Sequence, residues 1–156
     1  MIHIEPSVDH RLLAQLNKIA QDWHCEHYPD DFKPFDQVAV EAAFQQLLAI
    51  PNAFALVAKI DGQAIGYLFG MVKERKESAF QYEKRWLNID QIAVLQAYQN
   101  RGVAQQLLEC AEQLAEAEGI SCLQLDHWAQ NAVASGFFTN NGFGYFNHRM
   151  EKHLGD

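Results

Sequence analysis

The chain has 156 residues, enough for one domain with a proper core and too few for two comfortable ones. Hydrophobic residues make up 49% and charged ones 21%, a globular balance, and no window holds the roughly 20 apolar residues of a spanning helix, so no membrane partner is expected. A formal net charge of −8 counts against a nucleic-acid partner, which needs a basic stripe to displace counterions, and suits a cationic one.

Ile2-His3-Ile4 alternates and predicts a short first strand. Ser7 offers an N-cap for a helix whose apolar positions Leu12, Leu13, Leu16, Ile19, Ala20 and Trp23 share one face. That helix stops within residues 26–34, where Pro29, Pro34 and the Asp30-Asp31 pair act as breakers. A second helix is expected to turn Val38, Ala39, Ala42, Ala43, Phe44, Leu47 and Leu48 inward and to close at Pro51-Asn52. The apolar runs 54–60 and 64–72 are joined by Asp61-Gly62, a strong hairpin signal. Residues 73–84 are charged and read as a loop or the frayed end of the hairpin, and 86–94 resumes as a strand. A helix over 101–118 carries Val103, Ala104, Leu107, Leu108, Ala111, Leu114 and Ala115 on one face, with Gly119 as its C′ stop. Residues 120–126 read as a buried strand, 131–141 as a short helix and 143–153 as a last strand.

No repeat or linker interrupts this order, so residues 1–156 are read as a single domain. The strand–helix–strand unit 86–126 demands a right-handed crossover between parallel strands, while the hairpins make the rest antiparallel. The expected fold class is α/β (α+β), a mixed, mostly antiparallel central sheet with helices on both faces. Cys25, Cys110 and Cys122 are an odd count without CxxC spacing, and the first six residues lack a basic or apolar leader, so a cytoplasmic protein with reduced thiols is expected.

The most informative stretch, Gln99-Asn100-Arg101-Gly102-Val103-Ala104, lies between a strand and a long amphipathic helix. Gly102 and Ala104 keep the first helical turn free of bulk, so an anion can approach its unpaired N–H groups. The helix dipole favours that anion, and Arg101 can contact phosphate directly. The Gly-Lys-Ser/Thr ending of a Walker loop and the GxGxxG dinucleotide fingerprint are both absent, which disfavours a generic nucleotide-binding domain.

The loop resembles the Q/R-x-x-G-x-G/A acetyl-CoA motif of the GNAT superfamily of N-acetyltransferases. Two more segments match in register: Ile89-Asp90-Gln91-Ile92-Ala93-Val94 is similar to the family's central strand, and Asn131-Ala132-Val133-Ala134-Ser135-Gly136-Phe137-Phe138-Thr139-Asn140-Asn141-Gly142-Phe143 to its N-x-x-A-x-x-[FL]-[YF]-x-x-x-G-F segment. The resemblance implies an enzyme that moves an acetyl group from acetyl-CoA to a primary amine of a small molecule or peptide. It implies that the backbone of Ile92 and Val94, with Ala93 between them, borders the pantetheine arm as a neighbouring strand would. The N–H groups of Gln99, Asn100, Arg101, Gly102, Val103 and Ala104 would cradle the pyrophosphate. Asn131 would hydrogen-bond pantetheine, Phe138 would pack beside the thioester, and Ala134 and Phe137 belong to the same cofactor-binding set.

By the same resemblance, Asp90 is the expected base and the Val94 N–H the oxyanion donor, although Asp90 needs burial or a relay to act near neutral pH. Relatives commonly carry Tyr where this chain has Phe138, which has no proton for the departing thiolate. Tyr145, Tyr98 and His127 are the substitutes to weigh, and a thiolate of pKa near 8.5 also leaves unaided. That vacancy keeps open a non-catalytic acyl-CoA-binding sensor. Relatives place the acceptor between the first two helices, where Trp23, His27, Tyr28 and Phe32, with Asp30, Asp31 and Phe35, make an aromatic and acidic rim suited to a cation. No metal is expected: His24, Cys25 and His27 fall on different sides of a helix, and no second ligand pair has matching spacing. Asp126 and His127 lack an elbow nucleophile for hydrolase chemistry. Relatives often dimerise through sheet edges or C-terminal strands, which leaves a homodimer open.

Overall fold

The computed structural model describes residues 1–155, and the chain forms two compact units, Met1–Asp126 and His127–Asp156. The first runs β1 (His3–Pro6), α1 (His10–His27), α2 (Gln37–Leu48), β2 (Ala53–Ile60), β3 (Gln63–Arg75), β4 (Lys84–Val94), a 3₁₀ turn (Gln96–Tyr98), α3 (Val103–Ala117) and β5 (Leu123–Gln124). The second holds α4 (Ala132–Asn140). One sheet in the order β1-β2-β3-β4-β5 is antiparallel throughout except for the β4–β5 pair. The mixed, mostly antiparallel sheet read from the sequence is present.

Two helical layers cover it. Leu13, Ala14 and Leu16 of α1 and Phe44 of α2 pack with Ala55 and Val57 of β2 and Tyr67 and Phe69 of β3. The full burial of Phe44 alone is worth roughly 1.5–3 kcal/mol. Because successive strand residues point to opposite faces, Leu56, Ala58 and Leu68 face the other layer. There α3, which touches β1 to β4, contributes the buried Val103, Leu107, Leu108 and Ala111. No helix among the described residues is long and apolar enough to cross a membrane.

The β2–β3 hairpin turns on Asp61 and Gly62 at φ 49° and 81°, the paired left-handed conformations that a tight two-residue turn requires. Gly70 is demanded by close approach, since a Cβ there would lie 2.7 Å from the Asn88 carbonyl oxygen of β4.

Several expected boundaries move. Asp9, not Ser7, caps α1, its carboxylate accepting from Leu12 N–H at 3.0 Å while the Ser7 hydroxyl accepts from Asp9 N–H. In α2 Val38, Ala39, Ala42 and Ala43 are exposed; Phe44 is fully buried, and Leu47 and Leu48 pack partly buried against the same core, as does Val40. The charged residues up to Arg75 continue β3, paired with β4 through Arg75 and Lys84. Helix α3 starts at Val103 rather than 101, since Gly102 sits at φ 80° outside helical space. Residues 120–126 form no long buried strand: β5 spans Leu123–Gln124 only. Residues 143–153 form no strand, since a ladder needs a partner and none of the described residues pairs with them.

Candidate active site

The expected chemistry converges on β4. Phe69 pairs with Gln91 and Gly70 with Ile89, so Asp90 is an extra, unpaired residue, a β-bulge. Its consequence lies in the direction of the backbone groups. Leu87 N–H donates toward β5, to the Cys122 carbonyl at 3.0 Å, whereas Leu95 N–H donates toward β3, to the Ile65 carbonyl at 2.8 Å. Alternation back from Leu95 turns Ala93 and Gln91 toward β3, and Val94 and Ile92 toward the edge that Leu87 faces. Leu87 and Ile92 are an odd number of residues apart, so they face the same edge only because the bulge inserts one residue between them. The β4–β5 ladder comprises Leu87 with Leu123 and Asn88 with Gln124, and stops just before the bulge. Beyond it, no strand among the described residues pairs with that edge of β4, and the Ile92 and Val94 N–H groups face a gap in the sheet.

Asp90 is exposed and accepts a hydrogen bond from the Asn88 amide, whose own oxygen lies 3.4 Å from the Trp86 indole nitrogen. Burial is therefore not what would fit this carboxylate for proton abstraction. Behind the bulge lies a buried polar network that the sequence reading missed. Asn17 Nδ2 donates to Tyr67 Oη at 3.0 Å, and that hydroxyl donates to Gln91 Oε1 at 2.6 Å. Burial holds the Tyr67 phenol far above its ordinary value, so it stays a neutral donor that pins Gln91 beside Asp90. The available signals were a tyrosine in an apolar strand and an asparagine on an apolar helix face, each of which needs a partner when buried.

At the end of β4 the chain folds into a nest. Gln99 Nε2 donates to the Val94 carbonyl at 3.0 Å, tying the loop back onto the strand. Asn100 and Gly102 adopt left-handed conformations at φ 61° and 80° on either side of Arg101. Gly102 caps α3 without a side chain, and among the described residues the N–H groups of Gly102, Val103, Ala104 and Gln105 meet no acceptor. Such converging amides at a helix start make an anion-binding concavity. The Arg101 guanidinium lies over the Tyr98 ring, 5.5 Å from its centroid, at the margin of this nest.

The expected acceptor residues cluster at the end of α1. Trp23 stacks on His27 with ring centroids 4.0 Å apart and lies 6.3 Å from Tyr28, while His24 stacks on Phe32 at 4.6 Å. His24 and His27 each place Nδ1 on a carbonyl, those of Ala20 at 2.7 Å and Trp23 at 2.8 Å. A carbonyl only accepts, so both rings carry their proton on Nδ1 when neutral. Burial pushes the His24 imidazole below its ordinary value; the Ala20 carbonyl partly offsets this, and neighbouring His27 depresses it further.

In the second unit Asn131 caps α4, its Oδ1 accepting from Ala134 N–H at 3.0 Å. Phe138 is buried between Phe137 and Phe143, with centroids 5.2 and 5.6 Å away, and Ala134 is half-buried. The first unit thus assembles Asp90, Ile92, Ala93 and Val94 with the loop at residues 99–104. Asn131, Ala134, Phe137 and Phe138 share one short helix.

This geometry agrees with what the sequence is similar to. Residues 12–143 match the Acetyltransferase (GNAT) family, a span that includes every one of these positions. The chain belongs to the GNAT acetyltransferase family. An uncharacterised N-acetyltransferase encoded in the pepI 3′ region of Lactobacillus delbrueckii subsp. lactis is 27% identical over 126 residues, 80% of this chain and 72% of that protein. Among solved structures, a tetramutant of the BH1408 protein of Bacillus halodurans superposes with a TM-score of 0.91, covering 97% of this chain and 99% of its own at 17% identity. The aminoglycoside N-acetyltransferase AAC(6′)-Iy, solved with CoA, superposes at 0.76 with 18% identity over 99% of this chain and 95% of its own. These two likenesses show the GNAT fold.

Proposed function

We propose that this GNAT protein is an acetyl-CoA-dependent N-acetyltransferase acting on a primary amine of a small molecule or peptide. One observation carries the reading: the free edge of β4, turned outward by the bulge at Asp90, is followed by a loop that Gln99 ties back to Val94 and that ends in the unpartnered N–H groups at the start of α3. An extended amide-bearing arm that ends in a pyrophosphate matches both halves, the arm as an added strand on Ile92 and Val94 and the phosphates on the nest. The acetyl group is what the family transfers. AAC(6′)-Iy, whose structure is also known with the bisubstrate analogue CoA-S-monomethyl-acetylneamine, is a family member that acts on small-molecule amines. The aromatic cluster of Trp23, His27, Tyr28 and Phe32 supports a cationic acceptor, since ring faces attract ammonium groups. Three cysteines, all free, support a reducing compartment such as the cytoplasm.

In this reading Asp90 takes the ammonium proton, directly or through a water, and the freed amine attacks the thioester carbonyl. The Val94 N–H donates to the oxygen as negative charge develops, a fixed dipole that needs no reorganisation. Thiol release from acetyl-CoA over polyamines, aminoglycosides, amino acids and peptides tests the transfer. Thermal stabilisation by CoA but not by ATP or NAD tests the cleft. Stabilisation without thiol release from any amine would favour the non-catalytic sensor. Asp90→Asn is expected to lower turnover at saturating acetyl-CoA by about 10²-fold or more with CoA stabilisation retained. Unchanged turnover across pH would remove Asp90 as the base.

A further inference from the structure

Beyond the rest of the sheet β3 and β4 continue as a two-stranded ribbon whose charges are sorted by face. Pairing with β2 stops at Met71 and pairing with β5 at Leu87, while the β3–β4 ladder runs on through Lys73 with Trp86, Glu74 with Arg85 and Arg75 with Lys84. Alternation from the buried Tyr67 and Phe69 puts Lys73 and Arg75, with their partners Trp86 and Lys84, on the face that α1 and α2 cover further along the sheet. The opposite face holds Glu74 and Arg85. There Arg85 is neutralised by Glu74 at 3.2 Å and by Glu118 of α3 at 3.6 Å. Lys73 and Arg75 join no ion pair among the described residues. Arg75 Nε donates to the Tyr82 carbonyl at 3.1 Å, which holds the guanidinium without neutralising it. Arg75 also stands directly opposite Lys84, and like charges so placed destabilise a strand pair. In a chain of formal charge −8, this face of the ribbon runs against the overall balance.

The same face leads to Asp90. Trp86, Asn88 and Asp90 alternate along β4, and a hydrogen-bonded row joins them, the Trp86 indole toward Asn88 Oδ1 at 3.4 Å and the Asn88 amide to Asp90. At about 3.4 Å per strand residue, Lys73 and Trp86 lie roughly 14 Å from Asp90, and the Arg75–Lys84 pair roughly 20 Å. An anion over the ribbon offsets the repulsion between Arg75 and Lys84. Resting on the acetyl-transfer reading, in which Asp90 is the base, we propose that the acceptor is the amine of an acidic peptide. Its carboxylates lie on Lys73, Arg75 and Lys84, about four to six residues from the reacting nitrogen. Length and charge together decide the class. A free amino acid is too short to reach from Asp90 to these cations, and a polyamine or aminoglycoside brings no anion to them. An extended peptide covers the span at the same rise per residue as the strand beneath it. Such an acceptor is cationic where it meets Asp90 and anionic where it meets the ribbon, with the half-buried Trp86 ring under the residues between.

The experiment measures thiol release from acetyl-CoA with peptides that share one amine and differ about four to six residues from it, carrying Glu, Gln or Lys there. Wild type is expected to show kcat/KM about tenfold higher for the Glu peptide than for the Gln peptide, carried by KM and shrinking as salt rises. Lys73→Glu combined with Arg75→Glu is expected to abolish that preference and to favour the Lys peptide. If the double reversal does not fold, as judged by loss of stabilisation by CoA, Lys73→Gln serves instead and lowers the preference by about threefold. Wild-type rates within roughly twofold on the Glu and Gln peptides overturn the inference. So does a preference that survives the charge reversal or stays unchanged in Lys73→Gln. Turnover of polyamines or aminoglycosides with none of any peptide also overturns it, and leaves the transferase reading standing. No thiol release from wild type with any acceptor defeats that reading, and the inference with it.

Discussion

Gly102 and Gly119 offer a matched pair of perturbations. They sit at opposite ends of α3 at φ 80° and 71°, and a Cβ built at either meets no atom within 4 Å. Substitution by Ala therefore adds no clash, and only the left-handed backbone carries a cost, about 1–2 kcal/mol for an L-residue. In a domain of this size that lowers Tm by roughly 2–8 °C. Gly119 closes the helix, its N–H on the Glu116 carbonyl and the Ile120 N–H on the Ala115 carbonyl. Gly102 caps it beside the unpartnered amides. The two variants should lose similar stability and differ in ligand response. With CoA at 100-fold over its Kd, wild type and Gly119→Ala gain about 2.7 kcal/mol, whereas a tenfold weaker nest in Gly102→Ala reduces the gain to about 1.4 kcal/mol. Denaturant titrations with and without CoA measure both quantities. Equal loss of CoA stabilisation in the two variants, or none in either, would refute the nest at residues 99–104.

Tyr67→Phe removes the hydroxyl between Asn17 and Gln91 and leaves their buried polar groups short of a partner, so the urea midpoint should fall by an amount equivalent to about 1–3 kcal/mol. An unchanged midpoint would mean the network is solvated. His24 binds protons less readily folded than unfolded, so its contribution to stability is intact above its unfolded pKa of 6.5 and declines as pH falls through the lowered folded value. Replacing His24 with Gln should flatten the loss of stability between neutral and mildly acidic pH, which denaturation curves across that range would detect; an identical pH slope in both proteins would count against it.

Much of the fold and part of the site could be read from residue types. Asp61-Gly62 predicts a tight turn and Gly119 predicts the stop of an amphipathic helix, and the structure shows both. Each signal is local, carried by a residue whose backbone preference or side-chain reach acts within a few positions. Boundaries were harder, as with Asp9 displacing Ser7, because neighbouring residues can serve the same orphan amides.

The bulge at Asp90 was legible in principle. The large apolar residues of β4 fall at Leu87, Ile89, Ile92 and Val94, a step of three among steps of two. Which edge that slip would expose was not, since the answer depends on where β5 stops pairing and on which way Leu95 donates. Residues 143–153 make the same point in reverse: a segment read as a strand forms one only with a partner to pair with.

The sequence by itself determined the family, the order of elements through α4 and the glycine-bearing turn that opens α3, because these rest on motifs and on short-range backbone chemistry. The tertiary structure decided that Ile92 and Val94 turn their amides to a free edge. It also decided that Asp90 stands exposed at a bulge braced by Tyr67, with Lys73 and Arg75 on its face of the sheet. Those features depend on hydrogen-bond register and on contacts between residues distant in the chain, and no local preference encodes either.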